Sequence, residues 1–98
     1  MKILAIERET SGATAEDFQL HLKAEAIRAW ELHQAGLIRE LYFRQDERGA
    51  VLILECNDAK EARDILATLP LVKEKLITFD IIPLVAYPGF SRLFKKQL

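Results

Sequence analysis

Cysteine is almost missing from this 98-residue chain: Cys56 stands alone, so no disulfide can form within it. As the last residue of an apolar stretch it reads as a small buried hydrophobe rather than a nucleophile. Glycine (4 residues) and proline (3) are scarce, and no glycine-rich loop is present to cradle a phosphate. Only two histidines occur, far apart, and the carboxylates are not clustered, so no metal site is expected. No Ser-His-Asp or Cys-His arrangement has motif support. Neither sign of charge is in excess: 14 Lys and Arg stand against 15 Asp and Glu, and the pI is near 6.1. A chain with that balance has no overall positive field to draw nucleic acid or an anionic membrane. The longest apolar run, Ile81 to Tyr87, falls far short of the ~20 residues that span a bilayer. The opening "MKILAIERE" turns charged at Glu7, too early for a signal-peptide core, so a cytoplasmic location is expected.

What is present suits one globular domain over residues 1–98: half the residues are hydrophobic and 30% are charged. "KILAIER" is short and isoleucine-rich, and reads as a strand closed by the turn-like "ETSGAT". Thr14 is a hydroxyl N-cap for one helix running to about Ala35, with Asp17 as reciprocal acid and Gly36 just past its end. Ala15, Phe18, Leu22, Ala26, Ala29 and Leu32 form its apolar stripe. "GLIRELYFRQ" alternates as a strand, "DERG" turns, and "AVLILEC" completes a hairpin. Asn57-Asp58 caps a second helix that Pro70 is expected to stop. "LITFDIIPLVA" is the last strand, and Pro83, which donates no ladder hydrogen bond, places it at an edge or a bulge.

Strand, helix, strand, strand, helix, strand is the order of a ferredoxin-like α+β domain: one antiparallel four-stranded sheet with both helices on one face. Such a sheet should alternate cleanly between apolar and polar. Instead Ile3 with Leu4, Ala5 with Ile6, Val51 through Leu54, and Ile81 with Ile82 put apolar groups on both faces. A second copy packed face to face, a dimeric α/β barrel, is the simplest cover. Past about residue 87 the chain forms an arm whose Phe90, Leu93 and Phe94 share one side of a helical turn, with Lys95 and Lys96 at its end. The arm is expected to reach over a neighbouring subunit. RNA binding is not expected, because that use of the sheet needs strand aromatics and "AVLILEC" is aliphatic.

"LKAE", a helix ending at Gly36, then Arg39, Leu41 and Tyr42 on the next strand, and "ILATLPL" before a last strand followed by Pro88, together resemble muconolactone Δ-isomerase and its relatives. The resemblance covers about residues 18 to 88. It implies the ferredoxin-like fold, sheet-to-sheet dimers within larger oligomers, no cofactor, and a proton shift in a small unsaturated lactone or related acid. The bridge "VKEK" and the carboxyl tail are longer than that pattern.

A proton shift needs a base beside an acidic C–H, an acid for the other end, and a donor for the developing enolate. His33 and Glu25, two turns apart on the helix, are candidates for one cleft between helix and sheet. Tyr42 is a candidate donor to an enolate oxygen, Arg39 a candidate grip for a substrate carboxylate, and Trp30 a pocket wall. Glu7 and Arg8 are weaker candidates on a central strand. Each also has a structural reading: a helix-end histidine, a solvated carboxylate, a hairpin ion pair between Arg39 and Glu55, an interface aromatic. The alternative to an enzyme is a non-catalytic module that binds a small molecule or assembles, with aliphatic packing where an enzyme would hold polar groups.

Overall fold

The computed structural model describes residues 1–94. Strand β1 (Lys2–Glu9) leads through α1 (Ala15–Gln19) and α2 (Leu22–Gln34) to the hairpin of β2 (Ile38–Phe43) and β3 (Ala50–Glu55). Helices α3 (Ala59–Leu66) and α4 (Pro70–Lys73) precede β4 (Ile77–Pro83), and a 3-10 helix spans Pro88–Leu93. The sheet is antiparallel in the order β2-β3-β1-β4, which is the ferredoxin-like arrangement. β4 lies at an edge, with Pro83 its last residue, where a missing donor costs no ladder bond.

Alternation along the strands sends Ile3 and Ala5 of β1 and Leu52 and Leu54 of β3 toward the helices. There they close one core with Leu32 of α2 and with Ala62 and Leu66 of α3. A second, smaller cluster joins Phe18 of α1 to Leu71 of α4 and Ile77 of β4. That cluster explains the first departure from the sequence reading. The expected single helix from Thr14 to Ala35 breaks at Leu20–His21, so that α1 can seat Phe18 beside α4 while α2 packs over the sheet. The start is as expected: Thr14 N–H donates to Asp17 Oδ2 at 2.9 Å, and Asp17 N–H donates to Thr14 Oγ1 at 3.3 Å.

The second departure concerns Pro70. It does not stop α3, which ends at Leu66; it opens α4 at the first helical position, where its missing N–H would be unpaired anyway. Helix α2 ends in a Schellman motif, with Leu37 N–H bonded to Leu32 O and Gly36 at φ 79°. Helix α4 ends the same way, Leu76 N–H to Leu71 O, but the left-handed position is Lys75 at φ 60°. Lys75→Gly is therefore expected to stabilise the fold by about 0.5–1 kcal/mol, read by urea denaturation. An unchanged midpoint would show that the strain is relieved elsewhere.

The third departure is a β-bulge. Ile38 opposes Leu54 and Glu40 opposes Ile53, leaving Arg39 without a partner. The extra residue inverts the alternation, so Ile38, Leu41 and Phe43 share the helix side, opposite Leu54, Leu52 and Ala50. Uniform alternation had placed Ile38 with Tyr42. On the uncovered face, Leu4 lies between Ile53 and Ile82, and Ile6 beside Val51, which opposes Tyr42. The chain thus presents a continuous apolar patch on the side away from its helices.

After β4 the chain leaves the body. Its radius of gyration is 16.7 Å and its longest dimension 64 Å, against about 13 Å expected for a compact domain of this length. Tyr87 folds its ring onto Gly89, where a Cβ would collide with it, and meets Phe90 edge-on at 5.1 Å. Phe90, Leu93 and Phe94 remain 66%, 74% and 82% exposed. Lys95 and Lys96, expected at the end of this turn, lie outside the described residues.

Candidate functional site

Helix α2 stands off the hairpin enough to leave a cavity of about 880 Å³. Leu22, Ala26 and Ala29 form its helix wall, and Leu41, Phe43 and Leu52 its sheet wall. The apolar stripe of α2 is thus spent partly on a cavity rather than on packing, and Leu22 stays 45% exposed.

Two glutamates face this space. Glu7 follows Ile3 and Ala5 on the helix side of central strand β1, a charge where the alternation calls for an apolar residue. Burial pushes its carboxyl above the usual carboxylate range, opposed by the Ala50 backbone N–H, and Glu9 pushes it further. Gly49 turns the hairpin beside Glu7 at φ 138°, a backbone conformation that L side chains rarely adopt. Glu25 comes from α2, and its Oε1 accepts the Leu71 N–H at 2.9 Å. Burial raises its carboxyl too, against that hydrogen bond, and the charge of Glu7 adds to the rise. Both acids thus line one space with their carboxyls raised by burial.

The other residues singled out in the sequence are placed elsewhere. His33 is not in the cavity lining: its Nδ1 lies 2.9 Å from Ile38 O, tying the end of α2 to the start of β2, and its ring tilts against Trp30 at 5.8 Å. Trp30 is 58% exposed on the outside of α2. Arg39, set out of the ladder by the bulge, donates through Nε to Gly36 O at 2.7 Å, clasping the turn that ends α2. Glu55 accepts instead from the amino terminus at 2.8 Å. The strand segment holding Tyr42 borders the cavity, yet its register opposite Val51 turns the ring to the uncovered face. There its hydroxyl donates to Glu40 at 2.7 Å. Arg8 is on that face as well, 2.7 Å from Asp80. Of the five principal candidates, Glu25 and Tyr42 are among the residues lining the cavity, and His33, Arg39 and Trp30 are not.

Sequence reasoning missed the hairpin's share of the wall. Arg44 and Arg48 line the cavity, as do Glu9 and Glu47. Arg44 is 2.7 Å from both Asp46 and Glu47, and Arg48 sits 3.6 Å from Glu9 with its guanidinium 5.9 Å above the Phe18 ring. The available signal was the density of charge in "RQDER", which reads equally as a solvated turn. Cys56 is buried beside the core, its thiol pushed up by that burial, with Sγ 3.5 Å from Asp58 O. Among the described residues no helix is long and apolar enough to cross a membrane.

A family model described as muconolactone delta-isomerase matches residues 4–89, a span that takes in most of β1, the other three strands and every residue lining the cavity. No curated protein matches the chain by sequence.

Proposed function

This chain belongs to the muconolactone delta-isomerase family, and from that premise we propose that it is a cofactor-free isomerase moving a proton within a small unsaturated lactone or related molecule. The observation that carries the proposal is the pair of half-buried glutamates, Glu7 and Glu25, lining one largely apolar cavity, each carboxyl raised by its burial. One carboxylate takes the proton from the carbon beside the carbonyl, and the C–H electrons pass into the enolate. The other, still protonated, donates to the enolate oxygen, which keeps the intermediate low in energy within apolar walls. The captured proton then returns to the far carbon of the double bond. Atoms and charge balance without any electron acceptor. An assembly module would fill this space with aliphatic packing; here it encloses carboxyl groups.

The enzyme is proposed to work as a homodimer or larger homo-oligomer. Its support is the apolar sheet face and the exposed aromatic arm, since a domain this small often hides surplus apolar surface in a partner.

The test is isotope exchange. The protein is incubated in D2O with an unsaturated five-membered lactone, and deuterium at the carbon beside the carbonyl is followed by proton NMR. Exchange above the buffer rate is expected, and its loss in a Glu7→Gln, Glu25→Gln double variant. Exchange no faster than in buffer overturns the proposal.

A further inference from the structure

Helix α2 grips the connection between α3 and α4 at two points, one turn apart. Glu25 Oε1 accepts the Leu71 N–H at 2.9 Å, and Arg28, three residues further along the same face, donates through Nε to Thr68 Oγ1 at 2.9 Å. Only the first contact belongs to the cavity: Leu69 and Leu71 line it with Glu25, whereas Arg28 and Thr68 do not. The Thr68 hydroxyl has a fixed orientation. Its proton goes to Ile65 O of α3 at 2.6 Å, so what it offers α2 is a lone pair. Arginine, a donor at every nitrogen and always charged, suits that lone pair, and Glu31 Oε1 steadies the guanidinium 3.2 Å from Nη1. Between Thr68 and Leu71 lie only Leu69, which is 2% exposed, and Pro70, whose ring fixes its φ. A displacement at Thr68 therefore reaches the Leu71 N–H with little slack.

We propose that Arg28 and Thr68 are positioning residues: they hold the α3–α4 connection against α2 so that the Leu71 N–H stays on the Glu25 carboxylate. The proposal rests on the acid–base reading of Glu25 and names what keeps that group in place. A hydrogen bond made to the ionised form favours it, so the clamp sustains a carboxylate able to accept a proton within apolar walls. Without the clamp, burial acts on Glu25 unopposed by that donor, and its titration midpoint rises. The titratable groups about Glu25 are Glu7 of β1 and His21 ahead of α2. Round the cavity stand Glu9, Arg44, Glu47 and Arg48, and α4 adds Lys73. Thr68→Val alters none of these charges, so a rise that it causes comes through geometry.

The protein is isotope-labelled at its glutamate side-chain carboxyl carbons and titrated by NMR, with the Glu25 signal assigned by its loss in Glu25→Gln. Thr68→Val and, separately, Arg28→Met, which keeps an apolar stem, are each expected to raise the Glu25 midpoint. Thr68→Ser, which restores the hydroxyl, should leave it at the parent's value. Because both side chains act through one contact, the double variant should move it no further than the larger single change. Turnover in the isotope-exchange assay should fall by on the order of ten- to a hundredfold with KM unchanged, as a slightly misplaced group costs. A Glu25 midpoint unmoved in both single variants overturns the proposal, as does a fully additive double variant. The midpoint is read without substrate, so a shift in a protein whose parent shows no exchange keeps the clamp and rejects the isomerase.

Discussion

Glu25→Gln is expected to lower turnover by about a hundred- to ten-thousand-fold, the usual worth of a placed acid or base, while making the protein more stable at neutral pH. The two effects have one cause. Burial holds the Glu25 and Glu7 carboxyls above the ordinary value of 4.5 in the folded chain. A carboxyl raised on folding contributes stability that is complete below the unfolded value and lost as pH rises through the folded one. At neutral pH the native protein therefore carries ionised, half-buried carboxylates at a cost that a neutral amide does not bear. Glutamine can still accept the Leu71 N–H, so the hydrogen bond at 2.9 Å need not be lost. Thermal melts should place the variant above the parent at pH 7, with the difference shrinking toward zero as pH approaches 4.5. The parent's pH–rate profile should be bell-shaped, both limbs belonging to the pair and lying above the usual carboxylate range. A variant less stable at neutral pH, with unchanged turnover, would make Glu25 a clamp for α4 and nothing more.

Ending the chain after Tyr87 is expected to reduce the assembly's size and to lower its melting temperature by on the order of 10 °C. The removed segment takes with it Phe90, Leu93 and Phe94, all more than half exposed in a single chain. Burying two phenylalanines and a leucine is worth roughly 5–8 kcal/mol, and part of that would be recovered against a neighbouring copy. Gly89 and Tyr87 fit the purpose, because their contact gives the arm a preformed turn rather than a loose tail. Light scattering and calorimetry on the shortened and full chains decide the matter. If both chains have the same mass and the same melting temperature, the arm plays no part in assembly.

Element order, the edge position of β4, the capping box at Thr14 and the glycine end of α2 were all legible in the residues. They rest on local rules: periodicity, caps and the missing N–H of proline act over a few residues, and nothing distant overrode them here. The apolar residues on both strand faces were legible for the same reason, since a side-chain period of two needs no partner to be read. The break between α1 and α2 was not, because no Gly or Pro marks Leu20–His21; Phe18 is drawn toward Leu71 and Ile77, more than fifty residues on. Pro70 was ambiguous because proline punctuates both the end of one helix and the start of the next.

The site divides along the same line. Sequence could name Glu25 on the helix, two turns from His33, and Glu7 on a central strand as a weaker candidate. It could not bring them to one cavity, which depends on how far α2 stands from the hairpin. Nor could it show that Arg39 binds Gly36 O and His33 lies beside Ile38 O. A single bulged residue inverted the phase of β2, put Ile38 into the core, released Arg39 to Gly36 and left the Tyr42 ring on the far face. By itself, then, the sequence determined the ferredoxin-like order and the composition of each face, because these follow from residue type and local period. Only the tertiary structure decided which polar groups share a space, because that depends on strand register and on helix stand-off, which are set by packing between residues far apart in the chain.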